Sequence, residues 1–107
     1  MPLTLQVIYP ITDETNFDFD YYLGTHMPLV KKYFGEHMTA VSVSRGLAGG
    51  QDVPPPFYAI ATMTFNEPSD LDAAMAKAGP VLDDIPKFTN TTPQMLIGET
   101  VLRQLME

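Results

Sequence analysis

Leu3, Leu5, Val7 and Tyr9 alternate with Thr4, Gln6 and Ile8, a period of two that predicts a first β-strand over Leu3 to Tyr9. Pro10 ends it, and the polar run Thr12 to Asn16 reads as a loop. The period then changes. At ~100° per residue, Phe19, Leu23, His26, Val30 and Tyr33 fall within ~40° of one another, so Asp18 to Phe34 reads as a helix with one apolar stripe. Pro28 predicts a break in that helix, and Gly35 is placed to close it. Thr39 to Leu47 carries Val41, Val43 and small hydroxyl residues at alternate positions and reads as a second strand. Gly46, Gly49, Gly50 and Pro54-Pro55-Pro56 make an irregular loop, and Phe57 to Phe65 is a third strand with β-branched and aromatic content. A second helix begins at Pro68 or Ser69, with Ser69 as N-cap and Asp70 and Asp72 at the positive end of its dipole, and stops at Gly79-Pro80. Val81 to Phe88 adds a short helical turn, and Met95 to Leu105 is the last strand.

The order β-α-β-β-α-β predicts an α+β fold of the split βαβ kind, a four-stranded antiparallel sheet with both helices on one face. Residues 1–107 form one domain, without internal repeat or linker. Strand positions of both parities are largely apolar or small: Leu5 and Val7 but also Ile8, Ile60 but also Ala61 and Met63. With helices on one face only, a second copy of the chain is expected to cover the other, giving a homodimer.

His26 is the position where pattern and chemistry disagree. A titratable ring inside an apolar stripe costs free energy unless something satisfies it. Gly24 and Pro28 weaken the helix around it, and a restart near Thr25 to Met27 would place His26 at a helix N-terminus. That partial positive charge, together with burial, predicts a neutral imidazole with a lowered pKa, fit to take a proton from a ligand. The structural alternative is that His26 bonds a carbonyl freed by Pro28 and locks a kink. Tyr22, one turn earlier, and Tyr9, at the end of the first strand, are the hydroxyls expected to assist, with Tyr58 as a further donor. Arg45 has the chemistry to hold a carboxylate, and Phe19, Leu23 and Met63 are expected to line an apolar cavity. Asp18 and Asp20 charge the helix start.

Composition narrows the options. A net charge of −7 without a basic patch excludes nucleic acid as the main partner. The chain has no cysteine, so disulfides and thiolate chemistry are absent. No segment has the ~20 apolar residues of a membrane span, and the start lacks the basic region of a secretory signal, so a cytoplasmic protein is expected. His26 and His37 lack the spacing of a helical metal pair, and no metal or other cofactor is expected. Asp83 and Asp84, with Asp70 and Asp72, read as an acidic face, and the Gly46–Gly50 run lacks the lysine and hydroxyl of a phosphate loop.

Phe17, Asp18, Tyr21 and Tyr22, followed by His26, Pro28, Leu29 and Val30, make an aromatic-Asp-x-x-Tyr-Tyr element and then His-x-Pro-Leu-Val. Pro56-Phe57-Tyr58 leads into a strand, and Asp84, Phe88, Thr89, Asn90 and Ile97-Gly98-Glu99 follow. Over nearly its whole length the chain resembles the EthD family. The resemblance implies a ferredoxin-like fold that pairs into a dimeric α/β barrel. It further implies an accessory role in ether or aromatic degradation, or one of the chemistries of the superfamily: dehydration, cyclisation, isomerisation, oxygenation or a haem reaction. Two readings follow. One is cofactor-free proton transfer on a small apolar oxygenated compound, with His26 as the base. The other is a non-catalytic homodimer that binds a hydrophobic ligand or supports an oxidase.

Overall fold

The computed structural model describes residues 1–106. Four strands, β1 (Leu3–Pro10), β2 (Met38–Arg45), β3 (Phe57–Phe65) and β4 (Gln94–Glu99), form one antiparallel sheet in the order β2-β3-β1-β4. Between β1 and β2 the chain is helical over 19–34: α1 (Phe19–Tyr21), a π turn (Tyr22–His26) and α2 (Met27–Phe34). Between β3 and β4 run α3 (Pro68–Met75), α4 (Gly79–Asp84) and a 3₁₀ turn (Ile85–Lys87). This is the ferredoxin-like α+β fold. Among the described residues, no helix is long and apolar enough to cross a membrane.

The register explains where the core sits. Leu5, Val7 and Tyr9 of β1 are buried, and they lie opposite Met63, Ala61 and Ala59 of β3, also buried. These residues share the face that the helices cover, where Val30 and Phe34 of α2 and Leu71 and Ala74 of α3 complete the core. Ala61 and Met63 therefore belong to the helix side. The opposite face carries Thr4, Gln6, Ile8, Ser42, Ser44, Ile60, Thr62 and Leu96, and Gln6 Nε2 donates to Thr62 Oγ1 at 3.2 Å. The sheet is thus apolar on one face and mixed on the other, with an isoleucine pair, Ile8 opposite Ile60, at the centre of the mixed face.

Several boundaries move for physical reasons. β4 ends at Glu99, not Leu105, because β1 offers no partner past Leu3; the last bond runs from Thr100 N to Pro2 O. β2 ends at Arg45, and Gly46 gives one more bond, to Tyr58 O; a Cβ there would lie 2.1 Å from Phe57 O, so the turn requires glycine. The N-cap of α3 is Glu67, not Ser69. Pro68, with no amide hydrogen, occupies the first helical position, and Asp70 Oδ2 accepts from Glu67 N at 3.2 Å.

The helix over 19–34 does not restart at His26. Its backbone stays helical there, and Met27 N–H reaches back five residues to Tyr22 O. The wider turn absorbs the missing amide and the bulk of Pro28 without a break. It also inserts one residue, which rotates the preceding turn by ~100° relative to a continuous α-helix. The buried stripe is therefore Tyr22, His26, Val30 and Phe34, while Phe19 and Tyr33 are half-buried and Leu23 faces solvent, 55% exposed.

Candidate functional site

The π turn and α4 bring together two polar side chains that both sit in apolar stripes. His26 is 2% exposed and Asp84 is 6% exposed. His26 Nδ1 lies 2.9 Å from Asp84 Oδ2, and the Tyr21 hydroxyl donates to Asp84 Oδ1 at 2.8 Å. Lys87, mostly in solvent, stands 3.8 Å from Oδ1. Val81, Ile85 and Phe88 are buried at helical spacing, and Asp84 falls on the same side of that turn. The carboxylate thus enters the core on an apolar face and is satisfied there at both oxygens.

The charge state follows. Burial works to raise the Asp84 pKa, but the hydrogen bonds from His26 and Tyr21, with the Lys87 ammonium nearby, outweigh it and hold the carboxyl below its ordinary value. Burial lowers the His26 pKa, and the hydrogen bond and charge of Asp84 offset this only in part. The ring is neutral and the carboxylate ionised at neutral pH, so Nδ1 carries the hydrogen and donates it to Asp84. Nε2 then carries the lone pair, and no hydrogen bond to it is seen among the described residues.

His26 lines a cavity between the sheet and the helices, with Leu5, Val7, Met63, Val30 and Ile85 among its apolar walls. Tyr9 and Tyr22 line the same space. Tyr22 Oη is buried and, among the described residues, is the one buried side-chain polar atom with no hydrogen-bond partner. Burial pushes both phenols far up, Tyr9 with a further contribution from Tyr22, so both are hydrogen donors at any working pH. The rings are fixed by packing. Tyr22 stacks on His26 at 5.6 Å between centroids, and Phe88 lies 4.5 Å from His26 and 5.0 Å from Tyr22. Tyr9 meets Tyr22 edge-on at 5.6 Å. The small side chains of Ala59 and Ala61 on β3 leave the room this aromatic group occupies.

Tyr9, Tyr22, His26 and Met63 therefore converge on one cavity. The other residues singled out in the sequence do not. The Arg45 guanidinium lies 4.2 Å from the Phe19 ring centroid, at the β2–β3 loop and apart from the cavity. Tyr58 bonds Thr15 Oγ1 at 2.9 Å and stacks on Phe17. Phe19 packs on Phe17 outside the cavity, and Leu23 points outward because of the inserted residue. Asp84 and Tyr21 are the residues that the acidic-face reading missed. The signal for Asp84 was its place in the stripe Val81, Asp84, Ile85, Phe88, the same anomaly that marked His26.

The chain is a ferredoxin-like domain that holds a buried His–Asp pair between sheet and helices. The EthD domain family model matches residues 10–92, and the chain belongs to the EthD family. Its structure resembles an EthD-like protein from Ralstonia eutropha, with 33% identity, a TM-score of 0.86, and coverage of 96% of this chain and 95% of that one. It also resembles an ethyl tert-butyl ether D (EthD) family protein from Bacillus halodurans, at 23% identity and TM-score 0.75, covering 94% and 100%. A dimeric ferredoxin-like protein from an uncultured marine organism shares the fold at 13% identity and TM-score 0.57, covering 97% and 100%. No curated protein matches the chain.

Proposed function

We propose that the protein binds a small, neutral, apolar compound bearing a hydroxyl or enolisable carbonyl, and transfers a proton to or from it at His26 Nε2. The observation that carries this reading is the buried His26–Asp84 pair at an apolar cavity, stacked on a Tyr22 whose hydroxyl has no partner among the described residues. One acceptor (Nε2) and two donors (the Tyr9 and Tyr22 hydroxyls) match a group that gives one hydrogen bond and accepts others, such as a phenol or an enol. Among the described residues no cation lines the cavity, which disfavours carboxylate ligands there. In the reaction, Nε2 removes a proton, Asp84 stabilises the imidazolium that forms, and the tyrosines donate to the developing oxyanion. The same imidazolium returns the proton at another atom, so the sum is an isomerisation, or a dehydration where a hydroxide leaves with that proton. The homodimer expected from the uncovered sheet face belongs to this reading.

The test compares wild-type protein with His26→Ala in two assays, binding of 1-naphthol and turnover read as solvent-deuterium exchange at the α-carbon of the enolisable ketone 1-tetralone. Naphthol binding should weaken roughly tenfold in His26→Ala, the value of a buried hydrogen bond plus an unpaired polar group. Equal affinities in the two proteins, with no turnover in either, would remove the basis for a catalytic histidine and leave a passive binding role.

A further inference from the structure

The cavity beside His26 has a volume of about 30 Å³, enough for a water molecule and far too small for a ring compound. A ligand therefore enters only if a wall moves. Two lining residues are also broadly open to solvent, Leu82 at 42% and Met95 at 45%. The lining residues most exposed to solvent thus belong to α4 and β4. β4 is held in the sheet by its ladder to β1. α4 is held far less.

α4 is six residues long, has no side-chain cap, begins with Gly79-Pro80 and is followed by Ile85-Pro86. Both prolines lack an amide hydrogen. Gly79 has an ordinary backbone conformation, and a Cβ on it would meet nothing within 4 Å. The closed structure does not require glycine at that position, which leaves its freedom available for motion. Just before it, Lys77 pairs with Glu36 and with His37 Nε2, which anchors the segment preceding α4 to the residues after α2. Among the described residues, the side-chain hydrogen bonds that α4 makes to the helical segment 19–34 are those of Asp84 to His26 and Tyr21.

We propose that α4 is the movable wall of the cavity, and that its outward swing about Gly79-Pro80 and Ile85-Pro86 carries Asp84 away from His26. Entry and catalytic competence are then coupled. An open site has a histidine without its orienting carboxylate, and closure over an apolar ligand rebuilds the pair and excludes water in one step. The proposal rests on the cavity being the binding site, and its test separates the two ideas.

Nitrogen-15 relaxation dispersion on the ligand-free protein follows the amides of Val81 to Asp84 together with the His26 ring nitrogens. The expected result is one shared exchange process on the μs–ms timescale. Its open population should fall roughly fivefold in Gly79→Ala, the helix-propensity difference between glycine and alanine. A static α4, or an exchanging α4 with His26 Nδ1 undisturbed, overturns the coupling whether or not any ligand is known. Stopped-flow binding of 1-naphthol forms the second arm. Association should quicken in Leu82→Ala and slow in Gly79→Ala. Equal association rates in all three proteins would overturn the gate and keep the cavity as the site. Absence of naphthol binding in all of them would count against the site reading, with the dispersion result still deciding the hinge.

Discussion

Tyr22 carries a hydroxyl that the folded protein does not use. A buried donor without a partner costs ~1–3 kcal/mol, and Tyr22 is fully buried with its Oη unpaired. Replacement by phenylalanine keeps the ring that stacks on His26 and packs against Phe88. Tyr22→Phe should therefore stabilise the free protein by ~1 kcal/mol in urea unfolding and weaken 1-naphthol binding. A loss of stability would mean that the hydroxyl is satisfied in solution and is not reserved for a ligand. The His26–Asp84 pair makes a second prediction, in pH. Both groups have folded-state pKa values below their ordinary ones of 6.5 and 3.8, so the unfolded chain binds protons more readily at each. Stability from His26 is complete above 6.5 and is lost as pH falls below it; stability from Asp84 is lost at lower pH, as its folded pKa is passed. The melting temperature should decline from neutral pH downward in two stages. In His26→Gln the first stage should vanish, and a decline that persists unchanged would place the titrating group elsewhere.

The helix over 19–34 shows how one element sets the site. Its helical character, its start near Asp18, its end at Gly35 and the anomaly of His26 were legible in the sequence, because apolar spacing and terminal residues act locally; the buried stripe was not, since Tyr22 and Phe34 take the places expected for Phe19, Leu23 and Tyr33. The π turn was not. Pro28 announced a disturbance, but a break and an inserted residue relieve the same clash, and only packing on the sheet selects between them. Here the inserted residue sends Tyr22 and His26 to the core together and turns Leu23 outward. The partner of His26 was hidden for a different reason. Asp84 lies 58 residues away, and its pairing depends on how α4 folds back over the sheet. Its place among Val81, Ile85 and Phe88 was nevertheless readable, and two polar residues on two apolar stripes are a stronger signal than either alone. A prediction belongs to this element. Gly24 sits in the π turn, exposed, and a Cβ there would meet nothing within 4 Å. Gly24→Ala should raise stability by ~0.5–1 kcal/mol through helix propensity alone, with the His26 ring resonances unchanged. A shift of those resonances would show that the glycine shapes the turn that holds the histidine.

The molecule is a slab, 39 × 38 × 20 Å along its principal axes, and its short axis is the thickness of one sheet and one helical layer. One broad face is therefore sheet without cover. That face is not the continuous apolar surface that strand composition alone suggested: threonine, serine and glutamine share it with Ile8, Ile60 and Leu96. A mixed surface of this kind fits an interface with an apolar centre and a polar surround better than it fits a core. A stable pairing buries ~800 Å² on each partner, which the breadth of the slab allows. In the expected homodimer two sheets face each other with the Ile8–Ile60 pairs near the middle. Ile60→Lys puts a charge at that centre and leaves the helix side, where Ala59 and Ala61 point, untouched. The substituted protein should sediment as a monomer at concentrations where the wild type is a dimer, with the His26–Asp84 pair retained in each chain. Dimers that persist in Ile60→Lys would move the interface off this face. The candidates would then be the edge of β4, where Met95 and Ile97 are exposed, or the exposed apolar residues that follow it, Val101, Leu102 and Leu105.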